Sequence, residues 1–148
     1  MKFVVINGPN LNFLGIREPE IYGSQSLEDI NRMIEEFAVE RGHGVEFFQS
    51  NSEGDIIEFI QHAYLKKVDG IIINPAAYTH YSYAIHDALK GIEIPAIEVH
   101  LSNINQREEF RKHSVTAAAC IGQIAGLRAD GYLLALVGLE NYLKNTKK

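Results

Sequence analysis

Cysteine is almost missing: Cys120 stands alone in 148 residues, which excludes an internal disulfide and a thiolate-cluster metal site. Its small apolar setting, AAAC, predicts an inert, buried thiol rather than a reactive one. Basic blocks are missing too. Apart from KNTKK, which reads as the end of a last helix, lysine and arginine are dispersed, and the formal net charge is -5. A phosphate-backbone binder needs the opposite balance, so nucleic acid is not an expected partner. Long apolar runs are also lacking. MKFVVINGPN holds only about half a dozen apolar residues before Gly8-Pro9, too few for a signal-peptide core or a membrane span. The expectation is a cytoplasmic protein with no membrane partner. No repeat, low-complexity tract or Pro/Gly/Ser-rich linker divides the chain, and 46% hydrophobic with 22% charged residues fits one catalytic-sized domain over 1–148.

What is present is an alternation. FVVIN, VEFFQ, GIIIN and AIEVH are short β-branched or aromatic runs without clean alternation, the pattern of strands covered on both faces. AACIGQIAG is a weaker fifth. Between them lie helical patterns with recognisable ends: Ser26 and Asp29 form a capping box, Leu27, Ile30, Ile34 and Phe37 one stripe, and Gly42 a stop. Ser52 and Asp55 open the next helix. Tyr81, Ala84, Ile85, Ala88 and Leu89 recur at helical spacing before Gly91, and a broadly apolar helix covers about 131–144. Such a βα order predicts an α/β, doubly wound, five-stranded parallel sheet in the flavodoxin-like order 2-1-3-4-5. Ligands of these sheets bind beyond the carboxyl ends of the strands where the order reverses, here between the first and third.

Polar groups collect at those strand ends. After the first strand comes GPNLNFLGIREPEIYGS, residues 8–24, too long and too apolar for an ordinary connection or a linker; it reads as an active-site loop bearing Asn10, Asn12, Arg17 and Tyr22. After the third come Asn74 and His80, and after the fourth Glu98, His100 and Ser102. Glu98 is informative, because a carboxylate inside a central strand is costly unless paired. Two residues apart, Glu98 and His100 share a face, so the glutamate can fix the imidazole tautomer and favour its protonated form. An ordinary tyrosine is a poor base near neutral pH, and a guanidinium beside Tyr22 would stabilise its phenolate. Taken alone, an arginine and a tyrosine in one loop are more often packing and surface residues, and the asparagines serve equally well as turn formers. Arg111 lies at helical spacing from Arg107 and Glu108, and His80 and Asp87 on one side of the third helix; solvated positions or an oligomer contact explain these as well.

GPNLNFLGIREPEIYGS, IIINPAAYTH, EVHLSN and REEFRKHS, in this order and at these intervals, closely resemble type II 3-dehydroquinate dehydratase over nearly the whole chain. The resemblance implies conversion of 3-dehydroquinate to 3-dehydroshikimate and water through an enolate, in the shikimate pathway. It implies no metal or organic cofactor, and a homododecamer built from trimers. By motif, Tyr22 corresponds to the base, Arg17 to the cation that holds it as phenolate, His100 to the acid and Glu98 to its orienter. Asn12 would help a bound water to stabilise the enolate. Asn74, His80 and Arg111 would hold substrate hydroxyls, Leu101 and Ser102 the carboxylate, and Asp87 would reach a neighbouring subunit's site. Ala76 stands where the family pattern has glycine, Tyr81 where it has a small polar residue, and Asn105 where it has histidine.

The rival readings are a flavodoxin-like signalling module or a small-molecule binder without catalysis. A receiver-like module needs acidic residues after the first strand and a lysine after the fifth, neither of which occurs. A flavin or nucleotide binder needs a short phosphate loop, whereas GPNLNFLG carries proline and bulky groups. A Schiff-base dehydratase fails because the lysines lie at helix ends or termini.

Overall fold

The structure is a computed structural model that describes residues 1–16 and 18–146. Its strands are β1 (Lys2–Asn7), β2 (Gly44–Gln49), β3 (Gly70–Asn74), β4 (Ala96–His100) and β5 (Gly122–Ala125). All pairs are parallel and the order is β2-β1-β3-β4-β5, as the alternation predicts. The helices are α1 (Pro19–Tyr22), α2 (Leu27–Glu40), α3 (Glu53–Leu65), α4 (Tyr83–Gly91) and α5 (Asp130–Thr146).

Strand parity explains why the apolar runs do not alternate. Phe3 and Val5 of β1 and Ile72 of β3 pack with α2 and α5, whereas Val4, Ile6, Ile71 and Ile73 pack with α3 and α4. Both faces are therefore core, and each fully buried isoleucine contributes roughly 1.5–3 kcal/mol. Ala96, Glu98 and His100 share one parity, so β4 carries two ionisable side chains on the face it offers to the α3/α4 layer.

Helix ends follow local chemistry. Ser26 Oγ accepts from Asp29 N at 3.1 Å while Asp29 returns a bond to Ser26 N, and Gly42 closes α2 at φ 77. Ser52 caps α3 and Ser82 caps α4. The last of these corrects the helical reading of 80–89: His80 belongs to a separate 3-10 turn (Ala76–His80), and Tyr81 and Ala84 are exposed. The long connection after β1 also has structure of its own, a 3-10 turn (Leu11–Phe13) followed by α1. Leu11 and Leu14 are buried, but Phe13 and Ile16 are exposed. Among the described residues no helix is long and apolar enough to cross a membrane.

Candidate active site

Beyond the carboxyl ends of β1, β3 and β4 lies a cavity of about 200 Å³ lined by Tyr22, Asn74, His80, His100, Arg107 and Arg111. Leu101 and Ser102 also line it. The sequence expectation places ligand at this switch point, and seven of the eleven predicted site residues (Tyr22, Asn74, His80, His100, Leu101, Ser102 and Arg111) meet there. Two arginines in so small a space make it locally cationic within a chain of net charge -5, which suits an anionic small molecule.

His100 and Glu98 are both buried, and their side chains meet at 3.0 Å between Nε2 and Oε2. Because an ionised carboxylate only accepts, Nε2 carries the hydrogen and Nδ1 is left for a ligand. Burial pushes the Glu98 carboxyl up, but the hydrogen bond and charge of His100, with hydrogen bonds from Thr116 and Gln123, outweigh it and leave the group below its ordinary range. His80 is held differently: Nδ1 donates to the His113 carbonyl at 2.7 Å, and Phe110 packs edge-on against the ring. Burial lowers its proton affinity, the His113 carbonyl opposes that, and the charges of His100 and Arg111 reinforce it. A neutral His80 presents Nε2 as an acceptor.

Tyr22 ends α1, and its phenolic oxygen accepts from Arg107 Nη1 at 2.8 Å, with the guanidinium 5.2 Å from the ring centroid. Arg107 is the residue that the sequence reading missed. Its sequence signal is only a helical spacing to Arg111, yet it follows a 3-10 turn (Ile104–Gln106) whose Ile104 also lines the cavity. Arg111 is steadied by Glu108, at 2.7 Å, and by the Phe110 ring. Arg17, the expected activator, lies outside the described residues.

Asn74 is committed to the protein as well as to the cavity. Its Nδ2 donates to Tyr132 Oη at 3.1 Å and its Oδ1 accepts from Ala76 N at 3.1 Å, while Tyr132 donates to Asn7 Oδ1 at 2.6 Å. Asn12 is not part of the cavity lining; it is exposed, with Oδ1 at 3.4 Å from Gln49 Nε2. Asp87 is exposed on α4 beside His86, away from the cavity. Cys120 is half-buried, donates to the Thr116 carbonyl at 3.6 Å, and is pushed up to about 12 by burial first and Glu98 second, consistent with an inert thiol. Among the described residues no group of three or more His, Cys, Asp or Glu is placed to hold a metal ion.

The family model described as dehydroquinase class II matches residues 1–140. The chain belongs to the class II dehydroquinase family. These enzymes are dehydratases, of the hydro-lyase class. A 3-dehydroquinate dehydratase of Clostridium beijerinckii is 62% identical over 140 residues, covering 95% of this chain and 96% of the relative. The crystal structure of type II dehydroquinase from Butyrivibrio crossotus matches with a TM-score of 0.93 at 56% identity, over 95% of this chain and 97% of that one. That from Propionibacterium acnes gives 0.91 at 46%, over 95% and 96%. The fold is thus the flavodoxin-like one that the sequence indicates.

In this dehydroquinase the three departures from the family pattern have distinct settings. Ala76 sits at φ 53, in the left-handed region where glycine is the unstrained choice, and its N–H is held by Asn74. Tyr81 is exposed and packs edge-on against Tyr78. Asn105 is exposed, with its backbone N donating to Asn103 Oδ1 at 3.1 Å.

Proposed function

We propose that this dehydroquinase removes water from 3-dehydroquinate to give 3-dehydroshikimate, a step of the shikimate pathway leading to chorismate and the aromatic amino acids. The observation that carries the reading is that a phenol paired with a guanidinium and an imidazole paired with a carboxylate line one cationic cavity. Tyr22, as phenolate, takes the proton from C2, and the electron pair moves onto the C3 carbonyl oxygen as an enolate. Return of that pair breaks the C1–O bond, and His100 gives a proton through Nδ1 so that the oxygen leaves as water, an anti elimination. Glu98 orients the imidazole.

Arg107 supports Tyr22 directly, and Arg17 belongs to the proposal as a second cation near the phenolate. His80, Asn74 and Arg111 hold substrate hydroxyls, and Leu101 and Ser102 the carboxylate, largely through backbone amides. Asn12 orders a water against the enolate once its contact with Gln49 gives way. The working form is a cytoplasmic homododecamer, a tetramer of trimers, in which the exposed Asp87 reaches a neighbouring subunit's site. No metal or organic cofactor enters this scheme, since the developing charge is met by the arginines and ordered water.

The test follows enone absorbance after 3-dehydroquinate is added to chelator-treated protein. A rise proportional to enzyme concentration is expected. Saturable binding with no rise above buffer would instead favour the non-catalytic binding module and overturn the assignment.

A further inference from the structure

Glu98 has no exposed surface, yet it is met by more hydrogens than His100 supplies. Its Oε2 accepts from Ser114 Oγ at 2.9 Å and from Gln123 Nε2 at 2.7 Å in addition to the imidazole, and its Oε1 accepts from Thr116 Oγ1. A carboxylate offers about four acceptor positions; three of these donors converge on Oε2 and one on Oε1, arriving from β4, from the 114–116 segment and from β5. The hydroxyls are themselves held. Thr79 Oγ1 lies 2.7 Å from both Ser114 Oγ and Thr116 Oγ1, and Ala117 N donates to Ser114 Oγ at 3.0 Å.

A buried carboxyl deprived of donors takes up a proton in preference to bearing charge. In the Glu98–His100 couple the nearest available proton is the one between them. If it moves to Glu98, the ring becomes neutral imidazole, a far weaker acid than imidazolium. We propose that Ser114 and Thr116 are positioning residues for the elimination: by donating to Glu98 they keep it ionised, so that the shared proton rests on His100 Nε2. The other ionisable groups facing this couple are Tyr22, His80, Arg107 and Arg111 in the cavity lining and the Cys120 thiol behind Glu98. His43 is a built-in control, because it is held by the N-terminal amine and Glu140, outside this network.

The kinetic part of this inference rests on the proposed acid role of His100, whereas the spectroscopic part does not require turnover. Histidine ¹⁵N shifts are recorded across pH for the unliganded wild type, Thr116→Val, Thr116→Ser and Ser114→Ala. In the protonated couple, wild type is expected to show His100 Nε2 bearing hydrogen. Thr116→Val and Ser114→Ala move that nitrogen toward the unprotonated shift, Thr116→Ser restores it, and His43 stays unchanged in all. On 3-dehydroquinate, kcat of Thr116→Val falls about tenfold, the rate equivalent of one lost hydrogen bond to a charged group, with KM little altered and Thr116→Ser recovering most of the loss. Identical His100 spectra in wild type and variants overturn the proposal, as does a change shared equally by His43, which would mean general loosening. Should Thr116→Val fail to fold, Gln123→Met, at an exposed position of β5, removes another donor from Glu98. The same His100 shift is expected there, and its absence is equally fatal. Absence of dehydratase activity in wild type would remove the proposed function while leaving the ¹⁵N outcome to decide this point alone.

Discussion

Arg107 and Tyr22, 85 positions apart in the chain, join their side chains at 2.8 Å in the cavity lining. The guanidinium is permanently charged and donates to the phenolic oxygen, the contact on which the proposed role of Tyr22 leans. Arg107→Met is therefore expected to lower kcat on 3-dehydroquinate by about 10²-fold, within the range typical of general acid–base groups, and Arg107→Lys to recover part of it. Stopped-flow or steady-state enone absorbance measures both. An Arg107→Met enzyme with undiminished kcat would assign the activation elsewhere.

Tyr22→Phe removes only the oxygen that would accept the C2 proton. Turnover should drop by about 10²–10⁴-fold, while a non-reacting substrate analogue still binds with near-normal affinity by calorimetry. Retained turnover would eliminate Tyr22 as base.

Tyr132 is completely buried, and burial pushes its phenol up, so it remains a proton donor to Asn7 and an acceptor from Asn74. Tyr132→Phe leaves Asn7 Oδ1 and Asn74 Nδ2 without that partner, at a cost of about 1–3 kcal/mol. Urea unfolding should show the midpoint falling with the m-value unchanged. A variant as stable as wild type would mean that the two amides find other partners.

Ala76 holds a left-handed φ of 53, a conformation that costs an alanine roughly 1–2 kcal/mol. Ala76→Gly relieves it but loosens the unfolded chain, so a net gain of about 0.5–1 kcal/mol is expected by the same unfolding measurement. A loss would show that the methyl group's packing outweighs the strain.

Glu140 on α5 is held down to about 2, first by its hydrogen bond from Lys144 and then by that from Arg41, against the opposing effect of burial. A carboxyl lowered in the folded state stabilises fully above its ordinary value, near 4.5, and loses that contribution as pH falls toward about 2. The Tm difference between wild type and Glu140→Gln should hold steady above pH 4.5 and shrink below it. A difference independent of pH would mean that charge plays no part.

The sheet order was legible because both-face burial leaves a continuous β-branched signature, as in GIIIN, and because Ser26, Asp29 and Gly42 mark their helix ends by local chemistry. The Glu98–His100 pair was legible because period two in a strand fixes which side chains are neighbours. Arg107 was not, since its meeting with Tyr22 depends on how two loops fold over the same strand ends, and spacing within either loop says nothing about the other. The donors to Glu98 lie between these cases. Gln123 is its register partner on β5 and follows from pairing once the strand is placed, whereas Ser114 and Thr116 arrive on irregular chain. Asn12 was placed by motif alone, and the direction of its exposed side chain, toward Gln49, is something that no spacing encodes.

Gly8 fixes where this cavity can be widened. Its N–H bonds the Asn74 carbonyl at 2.8 Å, one rung past the sheet, and a Cβ there would stand 2.4 Å from the Pro75 oxygen. Behind Pro9 and Asn74, which line the cavity, main chain is consequently stitched to main chain. Any engineering toward bulkier substrates has to work elsewhere in the lining, at Leu11 or Ile104, where side chains rather than main chain set the clearance.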